Sequence, residues 1–256
     1  MIFKSQATHA GIIVRSALTE VYKTAAGQVI KGKIDIQNQG SAPQDVKLYL
    51  QDLAYNAKGQ TFYVAPANRP SSNAAWIHLS SNLVSLNANE SKEVAYEIIV
   101  PTENLSIGSY WSSVMIEPTD LLTPDLNKSA VSVGSMVRYA VQIITNLSSE
   151  DLKPELRFDS IGVQHQGAIK TLNIAASNTG KLYCRPMATV EIYNAATAEK
   201  IGKYNSISLG LLPQNSKTFS IDISAVPKGK YNAVLMATDE AGNAFAVNFP
   251  LDLSHD

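Results

Sequence analysis

The sequence predicts an all-β fold of two β-sandwiches in tandem, and three observations predict it. Apolar–polar alternation with a period of two recurs in short runs along the chain. No helical periodicity longer than two turns interrupts those runs. The same turn phrases then come twice in the same order. "SLNANESKEVAYEIIVP" (85–101) and "LLPQNSKTFSIDISAVP" (211–227) each pass from a polar cluster into a strand and stop at proline, and each is followed by Gly-x-Tyr (Gly108–Tyr110, Gly229–Tyr231).

Taken in order, "VIKGKIDIQNQG" sets Ile30, Ile34 and Ile36 against polar neighbours and turns at Asn38-Gln39-Gly40. "QDVKLYLQDL" alternates through Val46, Leu48 and Leu50, and "EVAYEIIV" through Val94, Tyr96, Ile98 and Val100. "SYWSSVMIEP" reads as a strand closed by Pro118. "AVSVGSMVRYAVQIITNL" puts Val131, Val133, Val137, Tyr139, Val141 and Ile143 on one face. The second half repeats this grammar. "IKTLNIAASNTG" turns at Asn178-Thr179-Gly180, "MATVEIYNA" and "KTFSIDIS" alternate, and "KYNAVLMATDEAGNAFAVNFPL" reads as a hairpin about residues 239–243. The first half carries extra length between Leu53 and Trp76, read as an added hairpin and a Pro/Asn/Ser loop. The expected boundaries are a tail or signal-peptide remnant at 1–10, a first domain at 11–148, a linker at 149–154 and a second domain at 155–256.

Composition removes several function classes. Hydrophobic residues make up 45% of the 256, enough for packed cores. The net charge is -1, and the short basic runs Lys31-Gly32-Lys33 and Lys228-Gly229-Lys230 read as turn flanks, so no nucleic-acid surface is expected. No stretch reaches the ~18–20 apolar residues of a helical membrane span. The chain has one cysteine, Cys184, which excludes an intrachain disulfide and reads as a small buried hydrophobe. His9, His78, His165 and His255 lack ligand spacing, so no metal or other cofactor is expected. There is no nucleophile elbow, P-loop or dinucleotide fingerprint, and an enzyme is not expected. Asp52 and Asp239-Glu240 read as turn or strand-edge acids. Among the aromatics, Trp76 and Trp111 read as core, whereas Tyr55, Phe62 and Tyr63 in the added hairpin form an alternative ligand patch. Thr8-His9-Ala10 has the small-x-small form of a signal-peptide end, without an apolar core of ~7–15 residues before it.

The order of the first-half motifs resembles the N-terminal immunoglobulin-like domain of PapD-like proteins, over about residues 11–148. Those motifs are a strand ending in Asn-x-Gly, the "AWI" strand, the turn before Glu-Ser-Lys, and a strand ending at Glu-Pro. The group includes periplasmic pilus chaperones and, more loosely, the extracellular domains of WxL-interacting proteins. The resemblance implies two immunoglobulin-like β-sandwiches and a periplasmic or otherwise extracytoplasmic location. It also implies a chaperone-like function, in which secreted pilus or surface subunits are bound by β-strand addition along the last strand of domain one. Met136, Arg138, Ala140, Gln142 and Ile144 then form the partner-binding row, and Arg15 and Arg138 are the basic pair that would hold a subunit's terminal carboxylate. The alternative is a non-enzymatic cell-surface adhesion or envelope-binding module using the Tyr55–Tyr63 patch.

Overall fold

A computed structural model describes residues 11–66, 69–119, 137–148 and 152–254. Among the described residues it is all-β: seventeen strands and one short 3₁₀ turn (Ala74–Trp76) form four sheets in two sandwiches. In the first sandwich the strands are β1 (Ile12–Val14), β2 (Thr19–Thr24), β3 (Val29–Asn38), β4 (Gln44–Tyr55), β5 (Thr61–Val64), β6 (Ile77–Leu79), β7 (Leu83–Leu86), β8 (Ser91–Ile99), β9 (Gly108–Pro118) and β10 (Tyr139–Leu147). One sheet has the order β1-β3-β8-β6; the other has the order β2-β10-β9-β4-β5, with β7 also paired to β4. The second sandwich holds β11 (Leu156–Gln166), β12 (Ile169–Asn178), β13 (Met187–Asn194), β14 (Lys200–Ser208), β15 (Ser216–Asp222), β16 (Lys230–Thr238) and β17 (Ala244–Asp252). Its sheets have the orders β11-β12-β15 and β14-β13-β16-β17.

By its contacts the chain divides into two compact units. The first comprises described residues of 11–53, 63–106 and 110–147; the second adds Ala54–Phe62 and Ile107–Ser109 to the C-terminal half. The tip of the added hairpin therefore groups with the second unit, not with the half that sequence order gave it. Its main chain explains why: Tyr55 N donates to Asn215 Oδ1 (2.7 Å), Ala57 N to Ser216 Oγ (2.9 Å), and Thr218 Oγ1 to Ala57 O (2.8 Å).

Each core is the inward row of its strands. In the first, Ile34, Ile36, Val46, Leu48, Val94, Tyr96, Ile98, Val114, Ile116, Val141 and Ile143 pack together. In the second, Leu172, Ile174, Val190, Ile192, Phe219, Ile221, Ala233 and Leu235 do so. Removing these rows from water is the main stabilising term, at about 1.5–3 kcal/mol for each large apolar side chain.

The repeated phrases have identical mechanical roles in both units. Asn38 and Asn178, both fully buried, each close their own turn by accepting from Gly40 N (2.9 Å) and Gly180 N (3.0 Å) through Oδ1. Each Nδ2 then satisfies carbonyls that the sandwich would otherwise bury unpaired: Ala42, Leu86 and Asn87 in one, Leu182 and Leu211 in the other. Asn38 N donates to Glu90 O and Asn178 N to Asn215 O, and the residues just before those acceptors, Asn89 and Gln214, have φ of 60° and 58°. The pairings Gln37↔Ser91 and Ser177↔Ser216 follow at once. Beyond the Gly-x-Tyr phrases, the Tyr110 hydroxyl donates to Ser106 O (2.8 Å) and that of Tyr231 to Pro227 O (2.9 Å), a tyrosine corner in each sandwich. Gly108 (φ 148°) and Gly229 (φ 157°) take the sharp bend into those strands, a conformation that a Cβ would strain.

Two readings need correction. Lys31-Gly32-Lys33 is not a turn flank but the middle of β3. Gly32 faces Tyr96 across the ladder, whose ring fills the place a Cβ would take; Lys31 ion-pairs with Glu97 directly opposite and Lys33 with Glu93 on the diagonal. His165 lies within β11, opposite Lys170, rather than in a turn.

Candidate functional site

The last strand of the first sandwich is held on both sides, but not along its whole length. β10 lies between β9 and β2. β2 runs parallel to it only from Gln142↔Thr19 to Leu147↔Thr24, and Gln142 N donates to Leu18 O (2.9 Å). The chain arrives at β2 from the other sheet, where β1 pairs with β3, so it cannot reach further back along β10. Among the described residues, no strand pairs with that edge of Tyr139–Val141. An unpaired strand edge presents main-chain donors and acceptors to any extended segment.

The side chains there divide into two rows. Val141, Ile143 and Thr145 face the core and are fully buried. Tyr139 is partly buried against the same core, and Val137, which continues the row, is 46% exposed. On the other row Arg138 is exposed, Ala140 and Gln142 are half-buried, and Ile144 has no exposed surface (0%). Gln142 and Ile144 also lie in the stretch already paired to β2. Met136, and Val131 and Val133 of the expected strand, lie outside the described residues, as do residues 1–10 and His255.

Arg138 does not stand alone. Its Nη1 lies 3.8 Å from Glu117 Oε2 on β9, and the same oxygen accepts the Tyr49 hydroxyl from β4. Desolvation first, and Glu117 next, push the Tyr49 phenol above its ordinary pKa. Burial pushes Tyr63 upward too, and Arg138 is close enough to oppose that shift. Arg138, Glu117, Tyr49 and Tyr63 thus lie within range of one another, the last three on β9, β4 and β5, on the side of β10 away from the free edge. Arg15 follows β1 on the other sheet; its N donates to Asp35 O (2.8 Å), its side chain is exposed, and it has no ion pair among the described residues. The structure gives no interaction joining Arg15 to Arg138.

The three hairpin aromatics part company. Phe62 and Tyr63 are 47% and 39% exposed. Tyr55 is buried, and its hydroxyl donates to Gly210 O (3.0 Å) and accepts from Leu212 N (2.7 Å), so it offers a ligand nothing. Trp76 and Tyr110 pack in the core with ring centroids 4.6 Å apart and planes tilted by 45°, and Trp111 is buried with Nε1 donating to Leu53 O (2.7 Å). Asp52 is buried and accepts from Ser72 Oγ (2.5 Å), while Asp239 closes the β16–β17 turn by accepting from Asn243 N (2.9 Å). Among the described residues, no group of three or more His, Cys, Asp or Glu could hold a metal ion, and no helix is long and apolar enough to cross a membrane. Burial pushes the Cys184 thiol up to about 12, so it is a poor nucleophile at neutral pH. Sequence reasoning passed over Glu117 as the partner of Arg138, since their pairing depends on β9 and β10 being neighbours.

No family model matches this chain, and no curated protein matches it. Its fold is similar to that of solved pilus-chaperone chains at low identity. One, from a chaperone–tip adhesin complex of CFA/I fimbriae biogenesis, is 13% identical, with 93% of this chain and 98% of that one covered at a TM-score of 0.49. Another, from the CsuC–CsuE chaperone–tip subunit pre-assembly complex of Acinetobacter baumannii, is 14% identical, with 93% and 97% covered at a TM-score of 0.46. A third, from the Salmonella enterica SafA pilin–SafB chaperone complex, is 12% identical, with 96% and 99% covered at a TM-score of 0.46.

Proposed function

We propose that this protein is a chaperone-like binder working outside the cytoplasm. It holds secreted pilus or surface subunits by adding a strand to the free edge of β10. The observation that supports this reading is that the pairing with β2 begins at Gln142 and that, among the described residues, no strand pairs with Tyr139–Val141 on that side. Three residues of main-chain pairing, at about 0.5–1.5 kcal/mol net per hydrogen bond, are too few for stable capture. Apolar contact with Val137 and Tyr139 and charge contact with Arg138 must add to them. Arg138 and Arg15 would meet a carboxylate on the partner, with Arg138 exchanging Glu117 for it. The second reading is a non-enzymatic surface adhesion or envelope-binding module, favoured by the exposed Phe62 and Tyr63.

The test is capture of envelope proteins by the tagged chain, wild type beside Arg15→Ala/Arg138→Ala, with bound proteins identified by mass spectrometry. Small secreted β-rich subunits retained by the wild type and lost from the double variant are expected. Glycan or peptidoglycan retained equally by both would sink the reading in favour of the second.

A further inference from the structure

The two sandwiches differ at the edge beside their last strands. In the first, the chain leaves β1 and lays β2 along the far edge of β10. In the second, β11 stays on β12 from Leu156↔Asn178 to Gln166↔Ile169. Among the described residues, β17 therefore pairs with β16 alone, and its other edge is free along its whole length. The ladder shows which groups that edge presents. Leu253 N donates to Gly229 O (2.8 Å) and Asp239 N to Asn243 O (3.1 Å), so the odd-numbered residues of β17 turn their main chain to β16. Ala244, Ala246, Asn248 and Asp252 turn theirs outward. Pro250 sits outward too, where its missing N–H breaks no bond to β16.

The side chains of β17 form two rows. Phe245, Val247, Phe249 and Leu251 make the inward row. Leu251 is buried in the core and Phe249 packs against it, but Val247 is 36% exposed, with no strand beyond β17 to cover it. Ala244, Ala246, Asn248 and Pro250 make the outer, exposed row. No charged residue falls between Glu240 and Asp252. Edge strands are commonly kept single by charges. β14, at the opposite edge of the same sheet, carries Lys200 and Lys203; β17 has no such guard along its middle. Its inward row also reads the same in both directions, Phe245-x-Val247-x-Phe249. A row with that symmetry is complementary to itself about a two-fold axis.

We propose that β17 pairs antiparallel with β17 of a second copy of this chain, centred on Val247. In that register Val247 faces its own counterpart, and Phe245 and Phe249 face Phe249 and Phe245 of the second copy. These are the close, non-hydrogen-bonded kind of pair, in which aromatic side chains gain from contact. Ala246 and Asn248 exchange both main-chain bonds with Asn248 and Ala246 of the second copy, and Ala244 N donates to Pro250 O at each end. Asp252 comes opposite Gly242. Centring on Ala246 instead would set Asp252 against Glu240, and centring on Asn248 would leave Ala246 O facing the proline without a donor. The two-fold contact closes on itself and ends at a dimer. So short a contact makes a weak dimer, with a Kd on the order of 10–100 μM. This proposal does not rest on the β10 reading.

Analytical ultracentrifugation of the full chain, over concentrations from about tenfold below to tenfold above that Kd, tests it. The expected result is a monomer–dimer equilibrium for the wild type. Val247→Lys sets two ammonium groups face to face at the axis and should weaken the dimer at least about tenfold. A second variant reads the register without depending on loss. In Val247→Cys the two sulfurs meet across a pair whose Cα atoms lie about 4.5 Å apart, within disulfide reach, so mild oxidation should give a covalent dimer. Asn248→Cys, whose side chain faces Ala246 of the second copy rather than its own counterpart, should not. The native Cys184 is buried and stays out of the reaction. A link through position 247 joins the chain to itself, at twice its mass, and so differs from capture of a smaller subunit at β10. A monomer at every concentration, a dimer unaffected by Val247→Lys, or covalent dimers formed as readily from Asn248→Cys would each overturn the proposal.

Discussion

Asn73→Ala will lower the stability of the first sandwich by about 3 kcal/mol, near the top of the usual range for a point change. The side chain is fully buried, and both ends of its amide are hydrogen-bonded. Nδ2 donates to Tyr110 O (3.3 Å), Ile143 O (3.1 Å) and Thr145 Oγ1 (3.2 Å), and Oδ1 accepts from Ser112 Oγ (2.7 Å). It thereby ties the turn before β6 to β9 and β10 at once. Alanine leaves Ile143 O and the Ser112 hydroxyl buried without these partners, each at about 1–3 kcal/mol; Thr145 Oγ1 still reaches Tyr110 O (3.3 Å). Both tryptophans, Trp76 and Trp111, lie in this unit, so their fluorescence reports it alone. Urea unfolding followed this way should show a midpoint about 1–2 M lower. An unchanged midpoint would mean that this network does not hold the turn to β9 and β10.

The second large effect belongs to the other sandwich. Asn178→Ala removes the donor to Leu182 O (2.7 Å) and Leu211 O (3.0 Å) and the acceptor for Gly180 N (3.0 Å), all in the buried turn that opens the repeated phrase. The expected loss is again about 3 kcal/mol. Cys184, the chain's one cysteine, lies beside this asparagine, with Sγ 3.9 Å from Nδ2, and is buried. Its labelling by a thiol reagent therefore reports opening of the second unit. Labelling should speed up about 100-fold in Asn178→Ala, at tenfold per 1.4 kcal/mol, while tryptophan fluorescence stays unchanged. Asn73→Ala should show the reverse pattern. Equal responses of both probes to both variants would show that the sandwiches unfold as one.

What the sequence makes legible follows from where the signal lies. Strands with one buried face, such as β3, β8, β12 and β15, announce themselves by alternation, and their turns by Asn-x-Gly and Asn/Gln-x-Ser-Lys. Edge strands speak more faintly. β14, "KIGKYNSIS", buries little beyond Ser206, and β11 is mostly half-buried or exposed, so neither carries a clean apolar row. The parallel pairing of β2 with β10 joins segments more than a hundred residues apart, and no local pattern encodes it. The same holds for the hairpin tip, which sequence order gave to the first half and which Asn215, Ser216 and Thr218 hold in the second unit. At the candidate site, Arg138 and the apolar row from Val137 were legible as a strand; the stretch ahead of Gln142 left unpaired among the described residues was not, because it depends on where a distant strand begins.

The most direct measurement places a photo-crosslinking amino acid at Val137, beside the free edge, and separately at Val247 in β17, which is similarly exposed in the second sandwich. Irradiation in living cells should join a small secreted β-rich protein to the chain from position 137 and not from 247. Crosslinks of equal yield from both positions, or from 247 alone, would contradict capture by strand addition at β10.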